Sequence, residues 1–90
     1  MLLGKVIGTV WSTRKDEKLI GSKFLIVRQL GLDQKPKDNF VVAVDSVGAG
    51  VGEIVLFATG SSARQTNITK DKPVDAVIMA IVDKLDISHQ

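Results

Sequence analysis

The chain has no cysteine, a single histidine, a single tryptophan and only two prolines among its 90 residues. Without cysteine there is no disulfide framework and no thiolate, either as nucleophile or as metal ligand. With only His89, second from the end, no histidine cluster forms a metal site, and no EF-hand spacing occurs. A base in a terminal tail is not held in register with a nucleophile, so Ser61 and Ser62 lack a catalytic partner, and no G-x-S-x-G elbow surrounds them. No apolar run approaches the ~20 residues that span a bilayer. Met1 to Trp11 has neither the long apolar core nor the small-residue cleavage site of a secretory signal. These absences point to a cytoplasmic chain with no membrane partner. An excess of one charge is missing too: twelve basic and ten acidic side chains leave a net charge of +2. They alternate, as in Arg14-Lys15-Asp16-Glu17-Lys18 and Lys70-Asp71-Lys72, and read as solvated loops rather than as a basic stripe for nucleic acid.

Five segments rich in β-branched residues remain, and none carries a 3.6-residue stripe over three turns. Leu2 to Trp11 alternates, with Leu2, Gly4, Val6, Gly8 and Val10 on one face and Lys5, Ile7, Thr9 and Trp11 on the other. Phe24–Leu30, Phe40–Val44, Ile54–Ala58 and Ala76–Val82 are nearly continuous in apolar residues. The last has helix-compatible propensity but reads as strand, because Val and Ile dominate and Pro73 bars a helical approach. Ser62-Ala63-Arg64-Gln65 has capping-box spacing and predicts one brief helix, with Ser62 as its cap. Asp83 to Gln90 reads as an extension of the last strand or a frayed tail. The expected fold is therefore mostly β: a single domain over residues 1–90, built as a small OB-like Greek-key barrel of five strands with a short helix before the last. In a small antiparallel sheet one face normally meets water and alternates in polarity. Strands apolar on both faces predict that other subunits cover the outside.

The glycine-rich stretch Val47 to Gly52 invites a phosphate-loop reading, but a strand follows it and no terminal Gly-Lys-Ser/Thr is present. It reads as an inter-strand loop whose glycines take positive φ. Asp45, Glu53, Asp75 and Asp83 stand at strand ends, where carboxylates commonly accept from turn amides. Asn67-Ile68-Thr69 matches the glycosylation acceptor pattern, an incidental match in a cytoplasmic chain. Phe24, Phe40 and Phe57 sit inside apolar runs and are expected in the core, which leaves Trp11 as the exposed ring.

Read end to end, residues 2 to 86 resemble the vertex-protein family of bacterial microcompartments, which includes carboxysome and ethanolamine-utilisation pentamer proteins. The resemblance rests on Gly4-Lys5-Val6-Ile7-Gly8-Thr9-Val10, Thr13-Arg14-Lys15, Leu19, Gly21, Lys23 and Val42 to Gly50 running into Gly52-Glu53. It continues through Gly60-Ser61-Ser62-Ala63-Arg64-Gln65-Thr66, Pro73-Val74-Asp75-Ala76 and Ile81-Val82-Asp83. Trp11-Ser12 stands where small apolar residues are usual, and Ala80 where glycine is common. The resemblance implies a structural shell protein. It implies a homopentamer of OB-like barrels that caps shell vertices beside hexameric shell proteins, with no catalytic residue, metal, cofactor or nucleic acid. Subunit contacts are expected at Gly48, Ala49, Gly50 and Gly52 and at Ser61, Ser62, Arg64 and Thr66, where glycines allow close approach and Arg64 can pair with a neighbour's oxygens. Two other readings compete with it: a small OB-fold protein for single-stranded nucleic acid, and, more weakly, an enzyme subunit using the glycine-rich loop.

Overall fold

A computed structural model describes residues 1–88; His89 and Gln90 lie outside the described residues, and with them the end of the expected tail and the lone histidine. Each β-branched run becomes a strand: β1 Leu2–Val10, β2 Phe24–Leu30, β3 Pro36–Asp45, β4 Ile54–Thr59 and β5 Ala76–Ile81. They close into a barrel in the order β1-β2-β3-β5-β4, with β4 returning to β1. Every pairing is antiparallel except β3 with β5. This is the expected small Greek-key barrel, and closure removes most free sheet edges.

Inside it pack Val6, Leu25, Val27, Ala43, Val55, Phe57 and Ile78. Phe57 is the largest of these, and its full burial contributes roughly 2–3 kcal/mol relative to exposure. The same strands turn Val44, Ala58 and Val77 outward, and a second, smaller core forms where Ala63 and Val74 of the β4–β5 connection cover them. This explains why those runs are apolar on both faces near their ends.

Three expectations change. Val6 pairs with Val27 but Gly8 pairs with Ile26, so Ile7 is an extra residue and the alternation of β1 reverses across it. Thr9, opposite fully buried Leu25, faces inward, while Gly8 and Val10 lie on the outer wall; the single face running from Leu2 to Val10 does not exist. The second change is in β3, which starts at Pro36 rather than Phe40. Residues 36–39 bury nothing. They form a protruding hairpin with the end of β2, held by Arg28, which donates to the carbonyls of Lys37 and Asp38 at 3.1 and 3.3 Å. Third, the brief helix is a 3-10 turn, Gly60–Arg64, and the capping box does not form. β4 runs on through Thr59, so Ser62 falls inside the turn, where its carbonyl accepts from the Gln65 amide at 3.3 Å. The charged loop after β1 contains a further 3-10 turn, Glu17–Leu19, capped by the Asp16 carboxylate.

Candidate subunit interface

The glycine-rich loop is ordered by the protein's own carboxylates. Asp45 accepts from the amides of Val47 and Ala49 at 3.1 and 3.2 Å, and Glu53 accepts from the Gly50 amide at 2.6 Å. Gly48 and Gly52 take φ of 77° and 94°, as their residue type predicts. The loop is sewn to β1 by Gly52 N–H to the Val6 carbonyl and Val6 N–H to the Glu53 carbonyl. A phosphate would have to displace the protein's own oxygens from the amides of Val47, Ala49, Gly50 and Gly52, which weighs against the nucleotide reading of this loop. Replacing Asp45 with Ala removes the single oxygen, Oδ1, that accepts both bonds and is expected to cost about 1–2 kcal/mol of stability in urea unfolding, with Asp45→Asn, which keeps one carbonyl oxygen, costing less.

Of the expected contact residues in this loop, Gly48 and Gly52 are exposed and Gly50 is half-buried. Ala49 is only 1% exposed and belongs to the barrel core, so its side chain is not offered to a neighbour. In the β4–β5 connection, Ser61, Ser62 and Arg64 are exposed and Thr66 is half-buried. Thr69, fully buried, donates its hydroxyl to the Ala63 carbonyl, and its amide donates to Thr66 Oγ1 at 3.0 Å, which fixes the shape of this connection. One Arg64 guanidinium nitrogen donates to the Val74 carbonyl at 3.0 Å within the same chain, and the rest of the side chain reaches solvent. Among the described residues no hydrogen bond joins the two segments; they form separate surface sites. No group of acidic or histidine residues arranged to hold a metal occurs among the described residues, and no helix is long and apolar enough to cross a membrane.

The larger feature was visible in the sequence only as excess apolarity. Two apolar areas lie on the outer wall of the barrel, one over β1, β2 and β3 and the other over β1, β4 and β5. On the first, the cross-strand row Gly8–Ile26–Val42 runs over β1, β2 and β3, flanked by Phe40 opposite Arg28. Val42 is 44% exposed and Phe40 57%. Phe40 is therefore not a core residue as expected: it faces outward because Val41, one position on, packs against the core. On the second, the row Leu3–Leu56–Ala80 crosses β1, β4 and β5. β4 and β5 slip register there, leaving Met79 bulged toward the surface between Ile78 and Ala80. Phe24 is half-buried beneath the Lys15 ammonium, 4.9 Å from its ring centroid, and Trp11 is 89% exposed, as expected, but with Phe40 turned outward it is not the one exposed ring.

The folded chain exposes 6075 Å², against about 5,100 Å² for an average monomer of this mass. Two apolar areas of different composition on one small barrel suit a head-to-tail ring, in which each subunit gives one face and receives the other.

Comparison with known proteins places the chain among relatives of one kind. Residues 1–83 match the family described as "Ethanolamine utilisation protein EutN/carboxysome". The bacterial microcompartment shell vertex protein GrpN of Rhodospirillum rubrum is 49% identical over 86 residues, covering 96% of this chain and 97% of GrpN. The solved structure of GrpN, a pentameric microcompartment shell protein, superposes with a TM-score of 0.88 over 97% of this chain and 99% of that one, at 48% identity. CcmL of Gloeobacter violaceus superposes with a TM-score of 0.92 over 98% of this chain and 91% of that one, at 41% identity.

Proposed function

Since the chain belongs to the EutN/carboxysome family of microcompartment shell vertex proteins, we propose that it closes into a homopentamer that caps the corners of a polyhedral shell. It is a structural part, not an enzyme, and it works by geometry. A flat layer of hexagons does not close; pentagons inserted into it supply the curvature that does. Hexamer-forming shell proteins are the partners this role requires, and the cytoplasm, within the shell of a bacterial microcompartment, is its place. The whole chain acts as one vertex domain.

The observation that carries this reading is the pair of unlike apolar faces, Gly8–Ile26–Val42 and Leu3–Leu56–Ala80, over different sets of strands on the outer wall of one barrel. Two interfaces of about 800 Å² each would cover roughly a quarter of the exposed surface. The nucleic-acid reading is weaker. A stacking platform needs successive exposed rings in a basic groove, whereas the β2–β3 face presents Phe40 among Ile26 and Val42, with one arm of Arg28 tied to backbone carbonyls.

Native mass spectrometry tests the assignment: a ring of five that binds no single-stranded oligonucleotide supports it, and a monomer binding such strands with a steep salt slope overturns it. Closed particles on mixing with a hexamer-forming shell protein test the partner. Within the ring, Gly48, Gly50 and Gly52 and Ser61, Ser62, Arg64 and Thr66 flank the subunit contacts, with Arg64 reaching a neighbour's carboxylate or carbonyl through the donors its Val74 bond leaves over. Arg64→Ala is expected to weaken the ring about tenfold per interface. An unchanged pentamer mass at low micromolar concentration would remove Arg64 from the interface.

A further inference from the structure

We propose that Phe40 is the anchor of the ring contact and seats in a cavity of the adjacent copy that opens between Met1, Leu2 and Met79; this rests on the ring reading above. The cavity measures about 590 Å³ and lies where the start of β1, the end of β4 and the β5 bulge meet the 3-10 turn. Met1, Leu2, Ala58 and Met79 supply its apolar wall, and Thr59, Ser62 and Gln65 its polar rim.

Its lining is uncharged and divided about evenly between apolar and polar surface, which suits a neighbour's uncharged side chain better than an ionic ligand. A small-molecule site usually aims convergent polar groups inward. Here no acidic or basic side chain lines the space, and among the described residues no buried side-chain nitrogen or oxygen lacks a hydrogen-bond partner. A cavity of roughly 150 Å³ takes up benzene, so this one has room for a phenyl ring and part of a neighbouring side chain. Met79 stands out of register on β5, on a flexible thioether stem that packs readily against an aromatic edge.

The occupant follows from the other apolar face. Leu2 and Met79 of the cavity wall are the chain neighbours of Leu3 and Ala80 in the Leu3–Leu56–Ala80 row, and the face that row meets in a head-to-tail ring is Gly8–Ile26–Val42. On the margin of the Gly8–Ile26–Val42 face stands one large ring, Phe40, 57% exposed. Trp11, Ile20 and Leu32 are more exposed still, but they lie outside the strands, in segments rich in charged residues. Aromatic side chains seated in desolvated pockets are the residues that dominate interface energies. Phe40 and Met79 sit far apart within one protomer, since β3 and β5 pair in parallel only at Val44–Val77 and Asp45–Ile78. A contact between positions 40 and 79 therefore reports a neighbour.

The absence of native cysteine makes the test clean. Phe40→Cys and Met79→Cys are made separately and together, then bridged with a short bis-maleimide. Mixed single variants are expected to give a covalent dimer, and the double variant a ladder ending at five. Phe40→Ala is expected to weaken subunit association by about thirty-fold or more, with far-UV circular dichroism unchanged because the ring lies outside the core. Met79→Trp, which fills the cavity, should weaken it too. A wild-type pentamer whose Phe40→Ala and Met79→Trp variants assemble equally well, with no bridging of the double variant, overturns the anchor and leaves the ring standing. A wild-type chain that forms no ring overturns both.

Discussion

Val42→Asp is expected to give a folded monomer and no ring. Val42 is 44% exposed in the isolated protomer and faces away from the barrel interior, so a carboxylate there is hydrated and the core of Val6, Leu25, Val27 and Phe57 is untouched. In the proposed ring the same position lies at the β3 end of the Gly8–Ile26–Val42 row, and Arg28, on the flank of that face opposite Phe40, is tied to the Lys37 and Asp38 carbonyls. An uncompensated buried charge costs about 3–5 kcal/mol, which is roughly two to three and a half decades in affinity at each contact. Each subunit of a closed ring carries the change once, so the loss accumulates around it. Native mass should fall from five copies to one at micromolar concentration, while the monomer's unfolding free energy in urea stays within about 0.5 kcal/mol of an assembly-free reference. A Val42→Asp protein that still runs as a pentamer would remove the β1–β2–β3 face from the contact.

The second large effect is on folding itself. Gly4 is buried where β1 crosses between β2 and β4, opposite Gln29 and Val55. A methyl group built there would lie 2.8 Å from the Phe57 ring and 3.0 Å from the Arg28 carbonyl oxygen, and would overlap the Val27 side chain. Phe57 and Val27 are fully packed, and the carbonyl belongs to the sheet ladder, so neither side has slack. Overpacking of this kind costs about 1–3 kcal/mol for small additions and more for larger ones, against a total stability of roughly 5 kcal/mol for a domain this small. Gly4→Ala should lower stability in urea unfolding by about 3 kcal/mol, and Gly4→Val should leave no folded protein. Gly8 is the internal control. A methyl there meets only the mobile end of Ile26, at 3.4 Å, so Gly8→Ala should change monomer stability by less than about 1 kcal/mol. Equal losses at both positions would mean that the close approach at Gly4 is not what requires glycine there.

The loop carboxylates show how far local chemistry was readable. Asp45 and Glu53 stand beside glycines at strand ends, and their acceptor role follows from turn geometry alone; the hydrogen bonds to Val47, Ala49 and Gly50 bear it out. Ala49 was legible only in part. Its loop is exposed on both sides, but the bonds to Asp45 and the seam to β1 fold that one methyl into the core. The Ser62 cap failed for a reason that spacing does not hold: where β4 ends decides which residue precedes the turn.

Sequence alone determined the β class, the position of every strand to within a few residues, the absence of catalytic and metal chemistry as an expectation, and the family. These follow from residue type and short-range order: β-branched runs, glycine at turns, motifs in register. Only the tertiary structure decided which side of each strand is inside. With both faces apolar, a period of two carries no sign, and the sign was set by barrel closure and by the register slips at Ile7 and Met79. The slip at Ile7 put Gly8 and Val10 on the outer wall, and closure turned Phe40 out of the expected core. What read along the chain as surplus hydrophobicity became, once the barrel closed, two separate exposed apolar surfaces.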